Sequence, residues 1–325
     1  MRWVPLALAA WLAACAAAPV AAQPAGPVWI TLGTGGGPLT RVKRAEPANA
    51  LVVNGAVYLF DVGDGAQRRL AEAGLSIHAL RAVFVSHHHI DHDGGLAPLL
   101  VTRWLLNENR AIPLIGPPGT VAMATGIAEA YHATELAPIT IGGPPRPPIV
   151  ATIAARDMPA DLDAPALVYE DENIRVLAVT NAHYHFPPDS EDARFSRSYG
   201  FRIEAKGRTI AYTGDSGPTP HLVALAKDAD LLVSEVIDMK AMAAVLGKAG
   251  DIPQAAMAPM MAHMRQDHMT PPDVGALAQA AGAKEVVLTH LSPGMDGETG
   301  TAGYTDGIAP AYPGPVHVAN DLDRF

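Results

Sequence analysis

From Val28 onward, apolar runs alternate with turn residues along the chain. Val28 to Leu32 reads as a strand and runs into Gly33-Thr34-Gly35-Gly36-Gly37-Pro38, a turn that needs permissive backbone angles. Ala50 to Asn54 and Val57 to Phe60 predict two strands closed by Asn54-Gly55, a strong hairpin signal. Asp64 to Ala73 has a helical pattern, with Gly74 as its stop. Ala82 to Val85 predicts a short strand that leads straight into a histidine cluster. Beyond it the pattern gives a helix over Gly94 to Leu106, a strand over Ile112 to Ile115 and a helix over Thr120 to His132.

Pro138 to Pro165 is rich in proline and glycine and weak in periodicity, so it reads as a long connection between two halves. The second half repeats the theme. Ile174 to Val179, Tyr199 to Glu204, Thr209 to Tyr212, Leu231 to Val233 and Val286 to Leu288 predict strands. Pro271 to Ala280 predicts a helix with proline in its first turn. Two similar halves of alternating strands and helices point to an α/β protein with sheets inside and helices outside. The pattern alone leaves open a doubly wound sheet or an αββα sandwich.

Composition narrows the class. The chain has 325 residues, 49% apolar and 17% charged, enough to bury a substantial core. Its formal net charge of −10 disfavours binding to nucleic acid backbones, which need a basic face. Arg2 followed by the uncharged apolar run Val4 to Ala14 reads as a signal peptide over residues 1–22, ahead of one domain over residues 23–325. Leu12-Ala13-Ala14-Cys15 resembles a bacterial lipobox, and cleavage after Ala22 is the other option. Either places the catalytic part in the periplasm, or on the outer membrane through a lipid at Cys15. Cys15 is the only cysteine, so any metal must be held by histidine and carboxylate.

The chemistry concentrates in Ser86-His87-His88-His89-Ile90-Asp91-His92-Asp93-Gly94-Gly95. Four possible ligands, His87, His89, Asp91 and His92, fall within six residues directly after an apolar strand. Imidazole nitrogen and carboxylate oxygen both suit zinc, while manganese or iron can fill such a site too.

This segment resembles the HxHxDH signature of the metallo-β-lactamase superfamily. Asp61 in Phe60-Asp61-Val62-Gly63, His183 in Asn181-Ala182-His183, Asp215 in Gly214-Asp215-Ser216 and His290 in Thr289-His290-Leu291 match the family's remaining positions in order. The resemblance implies an αββα sandwich and a hydrolase with two metal ions. It assigns His87, His89 and His183 to one ion, Asp91, His92 and His290 to the second, and Asp215 to the bridge. Asp61 then orients a ligand loop, and His88 points away. Such ions lower the pKa of water from near 16 to roughly 7, so water serves as the nucleophile.

Leu32-Gly33-Thr34-Gly35, Asp267-His268-Met269-Thr270 and Thr289-His290-Leu291-Ser292 look like the ribonuclease Z, arylsulfatase and class II phosphodiesterase group. That likeness gives His268 a catalytic role beside Asp91, with Glu235 as its support, and allows a homodimer. The expected substrate is a small anionic ester, an aryl sulfate or a phosphodiester such as a cyclic nucleotide. Nucleic acid is not expected, because the connection carries Arg146 and Arg156 against six acids and no lysine. A β-lactamase or homoserine-lactone lactonase is the alternative; a ribonuclease Z-type nuclease and a non-enzymatic binding protein rank lower. Arg41, Lys43, Arg44, Arg194 and Arg197 are candidate receivers of the anion. Met239, Met242, Met257, Met260, Met261, Met264 and Met269 are candidates for an apolar lid or for core. Tyr184 and Phe186 are candidates to stack on an aromatic leaving group.

Overall fold

The computed structural model describes residues 26–137, 146–248 and 253–325. The proposed signal segment, Cys15 and the cleavage point after Ala22 lie outside them. Among the described residues no helix is long and apolar enough to cross a membrane.

Thirteen strands among the described residues form two sheets. The first holds β1 (Val28–Gly33), β2 (Ala48–Val53), β3 (Ala56–Val62), β4 (Leu80–Phe84), β5 (Ile112–Gly116) and β6 (Ile153–Asp157), side by side in that order. The second holds β7 (Ala166–Glu170), β8 (Arg175–Thr180), β9 (Tyr199–Ala205), β10 (Arg208–Tyr212), β11 (Leu231–Ile237), β12 (Val286–Ser292) and β13 (Val316–Val318). In each sheet, an antiparallel meander of early strands gives way to parallel strands linked by helices.

The sheets pack face to face. Trp29, Phe60 and Phe84 of the first meet Phe201 and Tyr212 of the second, and Phe60 stacks on Phe84 with ring centroids 4.8 Å apart. Helices cover both outer faces. Leu96, Leu99 and Leu100 of the helix Leu96–Leu105 pack on the first sheet; Val274, Leu277 and Ala278 of the helix Pro271–Ala281 pack on the second. Strands buried on both faces explain the unbroken apolar runs in the sequence, which lack polar alternation. The four layers resolve the choice that the pattern left open: the fold is the αββα sandwich.

The connection over Pro138 to Pro165 is corrected. Residues 138–145 lie outside the described chain, but Ile153–Asp157 is a strand that pairs in parallel with β5. It is an edge strand with half-exposed positions, so it carries no strong apolar run. The methionine region is two helices, Met239–Leu246 and Gln254–Asp267. The longer one, Gln254–Asp267, gives little contrast between an apolar and a polar side, which is the signal a helical period relies on.

Phe201 is fully buried and touches Phe60 and Phe84 across the layer between the sheets. Phe201→Ala is expected to cost about 3–5 kcal/mol through lost burial and the cavity left behind. A urea unfolding curve checks this: the midpoint falls while the slope is unchanged.

Candidate metal centre

The candidate ligands sit where strands of both sheets end, along one rim of the sandwich. The loop after β4 carries His87, His89, Asp91 and His92, and a helical turn over Ile90–Asp93 brings Asp91 and His92 inward. His183 follows β8, Asp215 follows β10, and His290 lies within β12.

Two of the site residues are aimed by the same device. In β3, Asn49 pairs with Phe60 and Ala48 with Val62, which leaves Asp61 as an extra residue in the ladder. In β12, Glu235 pairs with Thr289 and Val236 with Leu291, which leaves His290 extra. Both have left-handed backbone, φ 60° at Asp61 and φ 43° at His290. A bulge of this kind breaks the alternation of a strand and re-aims one side chain. Neither Asp nor His advertises a bulge, so this re-aiming is visible only in the fold.

Asp61 is fully buried and satisfies four donors. Its carboxylate accepts from Ser86 N at 2.6 Å, Ser86 Oγ at 2.8 Å, Tyr212 OH at 2.6 Å and His92 Nδ1 at 2.8 Å. It therefore fixes the start of the histidine loop and turns His92 Nε2 toward the centre. Gly37 supports Asp91 from the opposite side: its N–H donates to Asp91 Oδ2 at 2.9 Å, and a Cβ there would lie 2.2 Å from Asp91 Cβ. Only glycine fits that approach. His88 pairs with Asp93 at 2.9 Å and Thr120 at 3.2 Å, away from the centre, as expected.

Seven donors converge in two groups. His87 Nε2 and His183 Nε2 lie 3.0 and 3.2 Å from His89 Nδ1. In the other group, Asp215 Oδ2 lies 3.3 Å from His92 Nε2 and 3.0 Å from His290 Nε2, and Asp91 Oδ2 is 3.5 and 3.4 Å from the same nitrogens. Asp215 Oδ2 also stands 3.9 Å from His87 Nε2, between the groups. Ligand atoms at ~2.1 Å around a tetrahedral zinc ion are about 3.4 Å apart, so both clusters have the right size. His92 Nε2, His290 Nε2 and Asp215 Oδ1 are buried with no hydrogen-bond partner among the described residues. Buried polar atoms need partners, and a cation would supply them here. The donor set fits two divalent ions, with His87, His89 and His183 able to hold one, Asp91, His92 and His290 the other, and Asp215 both.

The family model described as the β-lactamase superfamily domain matches residues 58–291, which span all seven of these ligands and end just past His290. The chain belongs to the metallo-β-lactamase superfamily. Within it, the chain is 27% identical over 308 residues to a protein named Ribonuclease Z from Mycobacterium sp. (strain KMS), covering 90% of this chain and 93% of that one. Its fold matches the metallo-β-lactamase fold protein YhfI from Bacillus subtilis with a TM-score of 0.65 at 18% identity, over 92% of this chain and 99% of that one. Human tRNase Z, short form, matches with a TM-score of 0.63 at 24% identity, over 92% and 98%. These names run against the ranking that put a nuclease below a small-ester hydrolase, and against the expectation that no nucleic acid is bound. The superfamily fold implies divalent metal ions.

Electrostatics divide the metallo-β-lactamase histidines in two. Burial pushes His87 well below the ordinary histidine range and takes His183 down to about 3, so both are neutral and ready to ligate. Burial also opposes charge on His92 and His290, but carboxylates outweigh it. Asp215 leads in holding His92 well above its usual value and His290 up to about 10. Asp215 in turn is held well below the carboxylate range by His290 and His92, against its own burial.

His268 is buried beside the centre. Its Nδ1 lies 2.7 Å from Glu235 Oε2, and Glu235 Oε1 accepts from Ser216 N at 2.6 Å. Burial disfavours the charged ring, yet Glu235, helped by Asp215, raises its pKa above the ordinary value. The expected cations are elsewhere. Arg41 binds Pro293 O and Leu39 O, Arg44 binds Thr34 Oγ1 and Ala319 O, Lys43 binds Asp296 O, and Arg194 and Arg197 bind carbonyls of their own loops and Ala160. Arginine is a good anion ligand only where its fork is free, and here backbone carbonyls occupy it. Tyr184 and Phe186 stack on each other at 5.3 Å, with Tyr184 against the rings of His89 and His183. An Asp267 carboxylate held between His185 and His263 was missed: His263 and Asp267 stand at i, i+4, but that spacing pairs side chains only on a helix, which the sequence did not announce there, and His185 is far away in the chain.

Two outcomes are expected. His92 and His290 carry protons at neutral pH when no cation is bound, so metal uptake releases protons, and affinity rises with pH toward about 10, the value for His290. Calorimetry in buffers of different ionisation enthalpy reads the proton count; zero release would contradict the assignment. Asp61→Asn, which loses the acceptor for His92 Nδ1, is expected to weaken metal binding about 10–100-fold in a chelator competition.

Proposed function

We propose that the protein is a metal-dependent phosphodiester hydrolase. The observation that carries this reading is the buried Glu235–His268 pair beside seven converging donors. A bare metal pair suffices to open a strained lactam or an activated lactone. An ester with a poor leaving group needs, in addition, a proton for the departing oxygen. The names Ribonuclease Z and tRNase Z, carried by relatives, support a phosphodiester as the bond attacked.

Bound divalent ions, with zinc favoured by the donor set, supply a water of lowered pKa and neutralise charge on the reacting group. The chain's own residues do the rest. Asp91 and Asp215 are the carboxylates at the centre able to take the proton of the attacking water. Glu235 accepts from His268 Nδ1–H, which fixes the ring and leaves Nε2–H as the donor. That proton passes to the leaving oxygen as the phosphorus–oxygen bond breaks, and the alcohol departs neutral. The apolar N-terminal run supports an exported enzyme.

Three substrates test the reading: bis-p-nitrophenyl phosphate, p-nitrophenyl sulfate and a chromogenic β-lactam, each given to the zinc-loaded protein. Turnover of the phosphodiester, lost in Asp215→Ala, is expected. Turnover of the β-lactam alone would sink it. His268→Ala is expected to lower kcat by about 10²–10⁴ with metal content unchanged. The loss should be larger for a phenyl than for a p-nitrophenyl leaving group, because the poorer leaving group depends more on the acid.

A further inference from the structure

The cavity at the candidate metal centre has a lining of two kinds. Asp91, Asp215, His263, His268 and His290 are polar. Pro38, Ile90, Met242 and Met264 make up an apolar wall. No arginine or lysine lines it among the described residues.

Each part of that wall has a reason to be noticed. Ile90 lies between two candidate ligands, His89 and Asp91, yet its side chain is 65% exposed, so packing does not explain it. Met264 is on the helix Gln254–Asp267, one turn before His268, so it flanks the proton donor. Met242 reaches the same space from the helix Met239–Leu246 and is nearly buried there. The two helices contact each other over the centre. Methionine presents a polarizable apolar surface that adapts to a flat ring or an alkyl chain.

Charge points the same way. A polyanion needs several cations along its path, and the candidate cations are tied to carbonyls outside this cavity. The only negative charge the cavity can compensate is that of the group reacting on the metal ions. The cavity measures about 280 Å³. An apolar cavity of about 150 Å³ holds a benzene, so there is room for one ring beside a phosphoryl group.

We infer that this wall receives the alcohol half of the ester and that this alcohol is apolar, an aryl or compact alkyl group. The inference rests on the phosphodiester reading, and it separates this chain's substrate from RNA, whose departing alcohol is a charged, hydroxylated chain. His268 protonates the leaving oxygen, and Met242 and Met264 hold the carbon skeleton attached to it.

Calorimetric binding of phenylphosphonate and methylphosphonate to the zinc-loaded protein tests it, because the two share one anionic head and differ only in the apolar group. Phenylphosphonate is expected to bind at least tenfold more tightly. The double variant Met242→Gln, Met264→Gln should bring the two within about twofold, leave methylphosphonate binding and zinc content unchanged, and so erase only the preference. The conservative Met264→Leu should keep it. Equal binding of the two phosphonates, binding of neither, or a preference that survives the double variant would overturn the inference. A phenyl preference in a protein that hydrolyses no phosphodiester would instead leave the apolar wall standing and remove the hydrolase reading.

Discussion

A buried carboxylate among five imidazoles is the constraint on which this architecture depends. Asp215 is almost completely enclosed, with its oxygens near His87, His92 and His290. Removing a carboxylate from water costs several kcal/mol unless positive charge meets it. Without a cation, protons on His92 and His290 meet that need, which is why their pKa values rise. With cations bound, the same geometry exchanges protons for metal. One carboxylate thus sets the protonation of the His92 and His290 cluster, while burial keeps His87 and His183 neutral.

Holding such a group requires a rigid frame. The two sheets provide it through the aromatic layer of Trp29, Phe60, Phe84, Phe201 and Tyr212. Tyr212 links frame and site directly, since its ring packs against Trp29 and its hydroxyl donates to Asp61. The bulges at Asp61 and His290 lie where this frame meets the rim. Each places a polar group at the centre that regular strand alternation would have sent elsewhere. Strain at these two positions is tolerated because packing on both sides leaves the chain no alternative.

Around the centre, the candidate ligands and the apolar wall come largely from different elements, with the ligand loop, through Ile90, contributing to both. The ligands come from strand ends, which are stiff. The wall of Pro38, Ile90, Met242 and Met264 comes from a glycine-rich turn, the ligand loop and two helices inserted between β11 and the helix Pro271–Ala281. The insert still meets the donors at one point: the carbonyl of Asp267, at the end of its second helix, accepts from Nδ1 of His183 at 3.0 Å. Among the described residues no arginine or lysine lines the cavity, although the chain is similar to proteins named Ribonuclease Z.

The sequence determined the donors, because His87, His89, Asp91 and His92 are packed into one short loop whose chemistry needs no partner to be read, and the apolar runs determined the buried strands. It also gave His183, Asp215, His268 and His290 their places in order, through resemblance and not through spacing. Tertiary structure decided the rest. It alone brought residues from both sheets within hydrogen-bond distance, showed the two bulges, and revealed the Gly37 approach to Asp91. It placed an edge strand, Ile153–Asp157, inside the supposed long connection, with a half-exposed pattern too weak to read locally. It also removed the candidate cations from the site: an arginine in sequence is free to bind anything, whereas in the fold its nearest carbonyls claim it first.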